Sequence, residues 1–235
     1  MYFYYDYYYL LLILPAMIFA FWASARVKTT FKKYSATASI RGFTGRDAAE
    51  AVLRQNGITD VRIESVGGDL TDHYDPRTKV IRLSEKVYHG NNAAAIGVAA
   101  HEAGHAAQHH EEYAPLKFRN AIIPVTNIGS RLAMPLLLLG LFLSYYGEKY
   151  LVVAYAGVIC FSLSTLFQLF TLPTEFNASK RALEAIESGG ILAESEIPGA
   201  RKVLSAAALT YVAALAVSLL QLLRLILIVN NRRRD

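Results

Sequence analysis

Four long apolar runs interrupt an otherwise mixed chain. They cover about residues 7–25, 122–146, 150–172 and 204–229, each long enough to cross the roughly 30 Å hydrocarbon layer as a helix. Between the first two runs the pattern breaks into short amphipathic pieces. Thr44-Gly45-Arg46-Asp47 reads as a capping-box variant opening a helix with Ala48, Val52 and Leu53 on one side and Gly57 as its stop. Residues 60–66 alternate, with Val61 and Ile63 apolar, and residues 79–83 alternate again through Val80, Ile81 and Leu83. With turns at Gly67-Gly68, ahead of residues 70–74, and at Asp75-Pro76-Arg77-Thr78, this stretch resembles a small meander. Ser84 is placed to cap a short helix over residues 85–88. Asn91 or Asn92 is placed to cap an alanine-rich, buried helix that runs to about Glu112, with Pro115 ending it.

Composition agrees with a membrane class. The 235 residues are 54% hydrophobic and 18% charged, with a mean hydropathy of +0.27, so charge is short against an ordinary soluble domain. The net charge of +5 sits beside the apolar runs and forms no aromatic-interleaved stripe, which excludes a nucleic-acid surface. The lone Cys160 lies in an apolar run and reads as a small buried hydrophobe. Tyr2, Tyr4, Tyr5, Tyr7, Tyr8 and Tyr9 crowd the outer edge of the first run, as interfacial rings do. Ala23-Ser24-Ala25 resembles a signal cleavage site, but no Lys or Arg precedes the run, so a retained anchor is expected.

Asp6 precedes the first run, whereas Arg26, Lys28, Lys32 and Lys33 follow it. The positive-inside rule therefore places the stretch after it in the cytoplasm. The second and third runs form a hairpin through Gly147-Glu148-Lys149, and Lys180, Arg181, Arg201 and Lys202 agree with a cytoplasmic return near Pro173. A fourth crossing would put Arg232, Arg233 and Arg234 outside, and Arg224 lies within the run. Either the rule fails there, or that segment is re-entrant or interfacial.

The candidate chemistry lies in His101-Glu102-Ala103-Gly104-His105. On a helix, positions i and i+4 share a face, so both imidazoles can reach one ion. Glu102 stands beside that face, placed to act as general base on a metal-activated water. His109 is one turn further, about 6 Å beyond His105 on a straight helix, too far to close the same site. His109 and His110 read as exposed polar residues. Glu175 is the better third ligand. It follows Pro173 where a helix is expected to begin as the third run returns, and it would complete a two-His, one-Glu site with one open position.

Longer motifs then resemble a known family. Leu70-Thr71-Asp72-His73-Tyr74-Asp75-Pro76-Arg77, Ile81-Arg82-Leu83-Ser84, the histidine motif, Leu172-Pro173-Thr174-Glu175-Phe176-Asn177-Ala178-Ser179 and Pro198-Gly199-Ala200-Arg201-Lys202-Val203-Leu204 resemble the YugP-like neutral zinc metallopeptidases of the membrane. A more distant similarity runs to the HtpX-like and CAAX prenyl proteases. In that wider group the ligand glutamate is usually followed four residues later by an aspartate supporting the site. Here that position is Ser179, leaving Asp72 as another candidate to support the metal-binding residues from behind. The same resemblance puts Asp72-His73-Tyr74 on an edge strand that pairs with extended substrate, with His73 or Tyr74 as an oxyanion donor. A hairpin that merely stabilises its own turn is the equal alternative.

The expected architecture is mainly α and integral to the membrane, with about four transmembrane helices and a small α+β, zincin-like cytoplasmic metallopeptidase domain. Its parts are an anchor (1–25), a cytoplasmic α+β part (26–121), a transmembrane hairpin (122–172), a cytoplasmic helical segment with the third ligand (173–203) and a C-terminal hydrophobic helix with a basic tail (204–235). The expected function is zinc-dependent endopeptidase action, one Zn²⁺ per chain, on peptide bonds of membrane or membrane-proximal proteins, in a bacterial plasma membrane with the site facing the cytoplasm. The alternatives are a non-catalytic membrane scaffold stapled by a structural zinc, with His73 or Asp72 as fourth ligand, and a scaffold without metal.

Overall fold

The computed structural model describes residues 7–69 and 71–232; Tyr2, Tyr4, Tyr5, Asp6, Leu70, Arg233 and Arg234 lie outside them. The described chain is mainly helical with one three-stranded sheet. A π-helical turn, Tyr9–Ile13, leads into α1 (Leu14–Tyr34). Then come α2 (Gly45–Gln55), β1 (Arg62–Val66), β2 (His73–Asp75), β3 (Val80–Ser84), α3 (Glu85–Tyr88), α4 (Ala93–His110), α5 (Ala114–Leu143), α6 (Leu151–Ser188) and α7 (Ile197–Arg232). Four helical stretches, Tyr9–Tyr34, Ala114–Tyr146, Glu148–Ser188 and Ile197–Arg232, are long and apolar enough to cross a membrane, and only 17–28% of their most apolar windows is buried by the protein. Such exposed apolar surface is costly in water and needs a lipid neighbour.

Two compact units emerge, with boundaries inside the long helices. Among the described residues, one comprises 7–22, 118–172 and 211–232. Here small residues let helices approach closely. A Cβ on Gly140 would meet the Ala154 amide at 2.1 Å, and one on Gly157 the Leu137 amide at 2.6 Å, the small-residue packing that membrane helices use. Thr165 and Ser218 share a buried hydroxyl pair at 2.8 Å. At one end, Asn231 donates to the Tyr8 hydroxyl at 2.8 Å, Arg232 donates to Ser144 at 3.2 Å and its guanidinium lies 4.0 Å over the Tyr145 ring. The start of the first helix, the α5–α6 link and the end of α7 therefore meet. Unbroken over 36 residues, α7 is about 54 Å long, enough to cross a bilayer in one pass. Arg224 lies 5.4 Å over the Tyr9 ring and donates to Gln221, which lessens the cost of its charge.

The other unit comprises residues 23–117 and 173–210. Its core joins Val52 and Leu53 of α2, Ile81 and Leu83 of β3, Ile96, Ala99 and Ala103 of α4, and Ile186 of α6. Thr44 and Asp47 form the expected capping box. Gly57, at φ +68°, ends α2 in a Schellman arrangement: its amide reaches the Arg54 carbonyl, and that of Ile58 reaches Leu53.

The sheet is not a meander. Its order is β1-β3-β2, with β1 parallel and β2 antiparallel to β3. Val80, Ile81 and Leu83 are fully buried, so the most apolar strand takes the centre, and residues 67–72 carry the chain past its place. Asp75 still makes the turn, accepting from the Arg77 amide at 3.0 Å and the Thr78 hydroxyl at 2.9 Å. Three further expectations are corrected. Asn92 does cap α4, but Pro115 opens α5, because α4 already ends at His110 and proline suits a first turn. The Ser84 side chain does not cap α3; its hydroxyl donates to Asp72 instead. Pro173 begins no helix, since α6 runs unbroken through it; its fixed φ is helical, and one lost bond does not stop a well-packed helix. Thr44→Ala removes the side-chain half of the capping box, leaving the backbone amide at 44 bonded to Asp47, and is expected to cost about 1 kcal/mol, lowering the melting temperature by about 2–4 °C in a thermal melt of the detergent-solubilised chain.

Candidate metal centre

Helix α4 forms because Asn92 accepts from the Ala95 amide at 2.9 Å and a run of alanines favours helix while presenting little bulk. That lack of bulk sets the site. A Cβ on Gly104 would stand 2.7 Å from the Ala178 carbonyl oxygen, so α4 and α6 touch nearly backbone to backbone between the two polar stretches. This contact brings Glu175 of α6 against His101 and His105 of α4.

The Glu175 Oε2 atom lies 3.3 Å from His101 Nε2 and 3.4 Å from His105 Nε2. Donors about 2.0–2.1 Å from a tetrahedral ion stand about 3.3 Å from each other, so the spacing fits zinc. Glu175 is 2% exposed, and the two rings meet edge to face with centroids 4.7 Å apart.

The outer ring nitrogens reveal the protonation. Arg181, which can only donate, gives its Nε–H to Asn177 Oδ1 at 2.8 Å. That oxygen also takes the Gln108 amide, at 2.9 Å, while the same Gln108 Nε2 donates to the Thr174 carbonyl at 2.8 Å. Gln108 therefore turns its Oε1 to His105 Nδ1, 3.0 Å away, and the imidazole must donate there. Ser179 takes the equivalent place on His101 Nδ1 at 3.1 Å. With Nδ1 carrying the proton, the His105 Nε2 lone pair faces the carboxylate; the Ser179 hydroxyl can donate or accept at His101, whose Nε2 faces the same carboxylate. The carboxylate thus meets at least one imidazole lone pair in a buried place, which is stable only with a positive charge there, a metal ion or a proton. Burial of the His105 ring works against its charged form, yet Glu175, with Glu102 and Gln108 adding, holds its pKa above the ordinary histidine value.

Among the described residues, the His, Cys, Asp and Glu group able to hold an ion is His101, His105 and Glu175. Glu102 is buried at 8% exposure and acts electrostatically on His105. Ser179 meets His101, so a hydroxyl stands where the wider group has an acid. Asp72 does not support the histidines: its carboxylate accepts from the Ser84 amide at 2.7 Å and hydroxyl at 3.0 Å, pinning the chain before β2 to the start of α3. His73 is exposed and donates from Nδ1 to the Thr71 carbonyl at 2.8 Å. Neither residue fills a fourth ligand position. The expected edge strand exists, as β2 flanks the sheet. Tyr74 on it bonds His109 Nδ1 at 2.9 Å, so His109 is half-buried and engaged, while His110 is exposed as expected.

The family profile described as "Putative neutral zinc metallopeptidase" matches residues 9–230. The chain belongs to this family. Over 227 residues it is also 49% identical to the "Putative membrane protease YugP" of Bacillus subtilis, covering 97% of this chain and 99% of that protein. No solved structure matches it. The family's zinc accords with the nitrogen and oxygen donors that converge here.

Sequence reasoning missed Gln108, Asn177 and the Arg181–Glu111 pair, whose two bonds are 2.8 and 2.7 Å long. One signal was available: Gln108 is a fully buried polar residue one turn after His105 on an alanine face. Gln108→Leu removes the acceptor for His105 and should weaken zinc binding about 10–100-fold, whereas Gln108→Glu keeps an acceptor and should lose less; competition with a chromogenic chelator measures both. Gly104→Val, which cannot keep the Ala178 contact, should lower zinc retention in the same assay.

Proposed function

We propose that the chain is a membrane-bound, zinc-dependent metalloendopeptidase that hydrolyses peptide bonds of membrane or membrane-proximal proteins. The observation that carries this reading is the pair of histidines whose Nδ1 atoms are tied down while both Nε2 atoms face the Glu175 carboxylate. His101, His105 and Glu175 would hold one zinc ion and leave a position open, as a catalytic site needs. Bound there, the ion supplies Lewis acidity, making water a nucleophile near neutral pH and polarising the scissile carbonyl.

The chain's own groups carry the protons. Glu102 accepts the proton of the attacking water as the new C–O bond forms, then returns it to the departing amine as the peptide C–N bond breaks. The edge of β2 offers backbone groups to an extended substrate segment by strand addition. Of the two oxyanion candidates, Tyr74 is the better supported, because its hydroxyl meets His109 on the histidine helix, whereas His73 is turned to Thr71. Burial, then the charges of Asp60 and Asp75, push its phenol up to about 12, so it stays a donor at neutral pH. Arg26, Lys28, Lys32 and Lys33 favour a cytoplasmic site in a bacterial plasma membrane. The small domain is zincin-like in the sense that a histidine-bearing helix lies beside a sheet edge.

Purified chain in detergent should bind one zinc and cleave an unfolded protein substrate, with a chelator abolishing and added zinc restoring cleavage. Glu102→Gln should keep the metal and lose at least about 10²-fold in rate. Glu175→Gln should lose metal as well as activity. Cleavage by Glu102→Gln at the wild-type rate would sink the assignment.

A further inference from the structure

We propose that a basic cavity between α1 and α7 is a binding site for the phosphate headgroup of an anionic phospholipid. The cavity, about 620 Å³, is lined by Arg26, Thr29, Thr30, Lys33 and Tyr34 of α1 and by Lys202, Ser205, Ala206 and Leu209 of α7. No carboxylate lines it.

Two of its cations are gathered around one ring. Lys33 Nζ lies 5.6 Å and Lys202 Nζ 6.0 Å from the centroid of Tyr34. The ring itself is fixed, since a Cβ on Gly199 would come within 2.8 Å of it. Among the described residues neither lysine forms an ion pair with a carboxylate, whereas Arg201, next in the chain to Lys202, pairs with Glu187. Like charges gathered around one ring repel each other, and an anion beside them relieves that repulsion. The hydroxyls of Thr30 and Ser205 add donors of the kind that phosphate oxygens accept.

The position along the helices selects a lipid. The apolar run of the first helix ends at Ala25 and the cavity begins at Arg26, while Leu204 opens the apolar run of α7 and Ser205 to Leu209 line the cavity. Exposed Trp22, at 50%, marks the headgroup level one turn before Arg26. Both helices thus pass from apolar to basic at the cavity, with Leu209 and Ala206 on the side where acyl chains would lie. Basic pockets of this kind between membrane helices bind anionic headgroups. This site does not depend on the zinc reading, since its residues touch none of the ligands described above.

The test titrates the full-length chain in neutral detergent with dioleoyl phosphatidylglycerol, dioleoyl phosphatidylcholine or inorganic phosphate, and counts bound molecules by native mass spectrometry. Phosphatidylglycerol should bind at a roughly ten-fold lower concentration than phosphatidylcholine. Lys33→Gln with Lys202→Gln should weaken it roughly ten- to thirty-fold, at about five-fold per charge. Ser205→Glu, which adds a negative charge and keeps both lysines, should weaken it in the same sense. Lys28→Gln with Lys32→Gln removes equal charge from the same helix outside the cavity and should change binding less than about three-fold. The proposal is overturned if the control pair loses as much as the cavity pair, if the cavity variants bind as wild type, or if phosphate displaces the lipid at equal concentration, which would make this a site for free anions.

Discussion

A buried carboxylate facing two imidazole nitrogens, one of them with its lone pair fixed toward it, is unstable without a positive charge among them, and the folded unit around the site is arranged to create that condition. Glu175 is 2% exposed, so water cannot relieve it; Gln108 fixes the Nδ1 proton on the far side of the His105 ring and Ser179 bonds the equivalent atom of His101. The orientation of Gln108 descends from a guanidinium that can only donate, through Asn177. Proton positions at the centre are therefore set by a residue several contacts away.

That arrangement requires two helices almost in backbone contact. Gly104 against Ala178 supplies it, and the alanines of α4 keep the same face thin. The α5–α6 pair uses the same device at Gly140 and Gly157. There the gain is dispersion and close carbonyl approach without a hydrophobic driving force; at the site it is distance, since one larger side chain would part Glu175 from the two histidines. A single helix, α6, carries both the Glu175 carboxylate and a stretch apolar enough to cross a membrane, so the two are joined by covalent chain.

Much of this was legible in residue order. The four apolar runs, the capping box at Thr44 and Asp47, the i, i+4 histidines and the grouping with Glu175 follow from local periodicity and from the few residue types that bind metals. Domain limits drawn at hydropathy changes read differently in the helices. The first helix continues to Tyr34 and α6 passes through Pro173, because hydrogen bonds along the backbone do not stop where side-chain polarity changes.

By itself the sequence determined which side chains could do chemistry, since ligand type and helical spacing are local properties. Tertiary structure alone decided which of them meet. It turned Asp72 to Ser84 and Tyr74 to His109, put β3 between two strands that precede it, and recruited Gln108, whose neighbours in space are Thr174 and Asn177. Those pairings depend on contacts between residues far apart in the chain, set by which small residues allow two backbones to approach, and residue order carries no direct record of that distance.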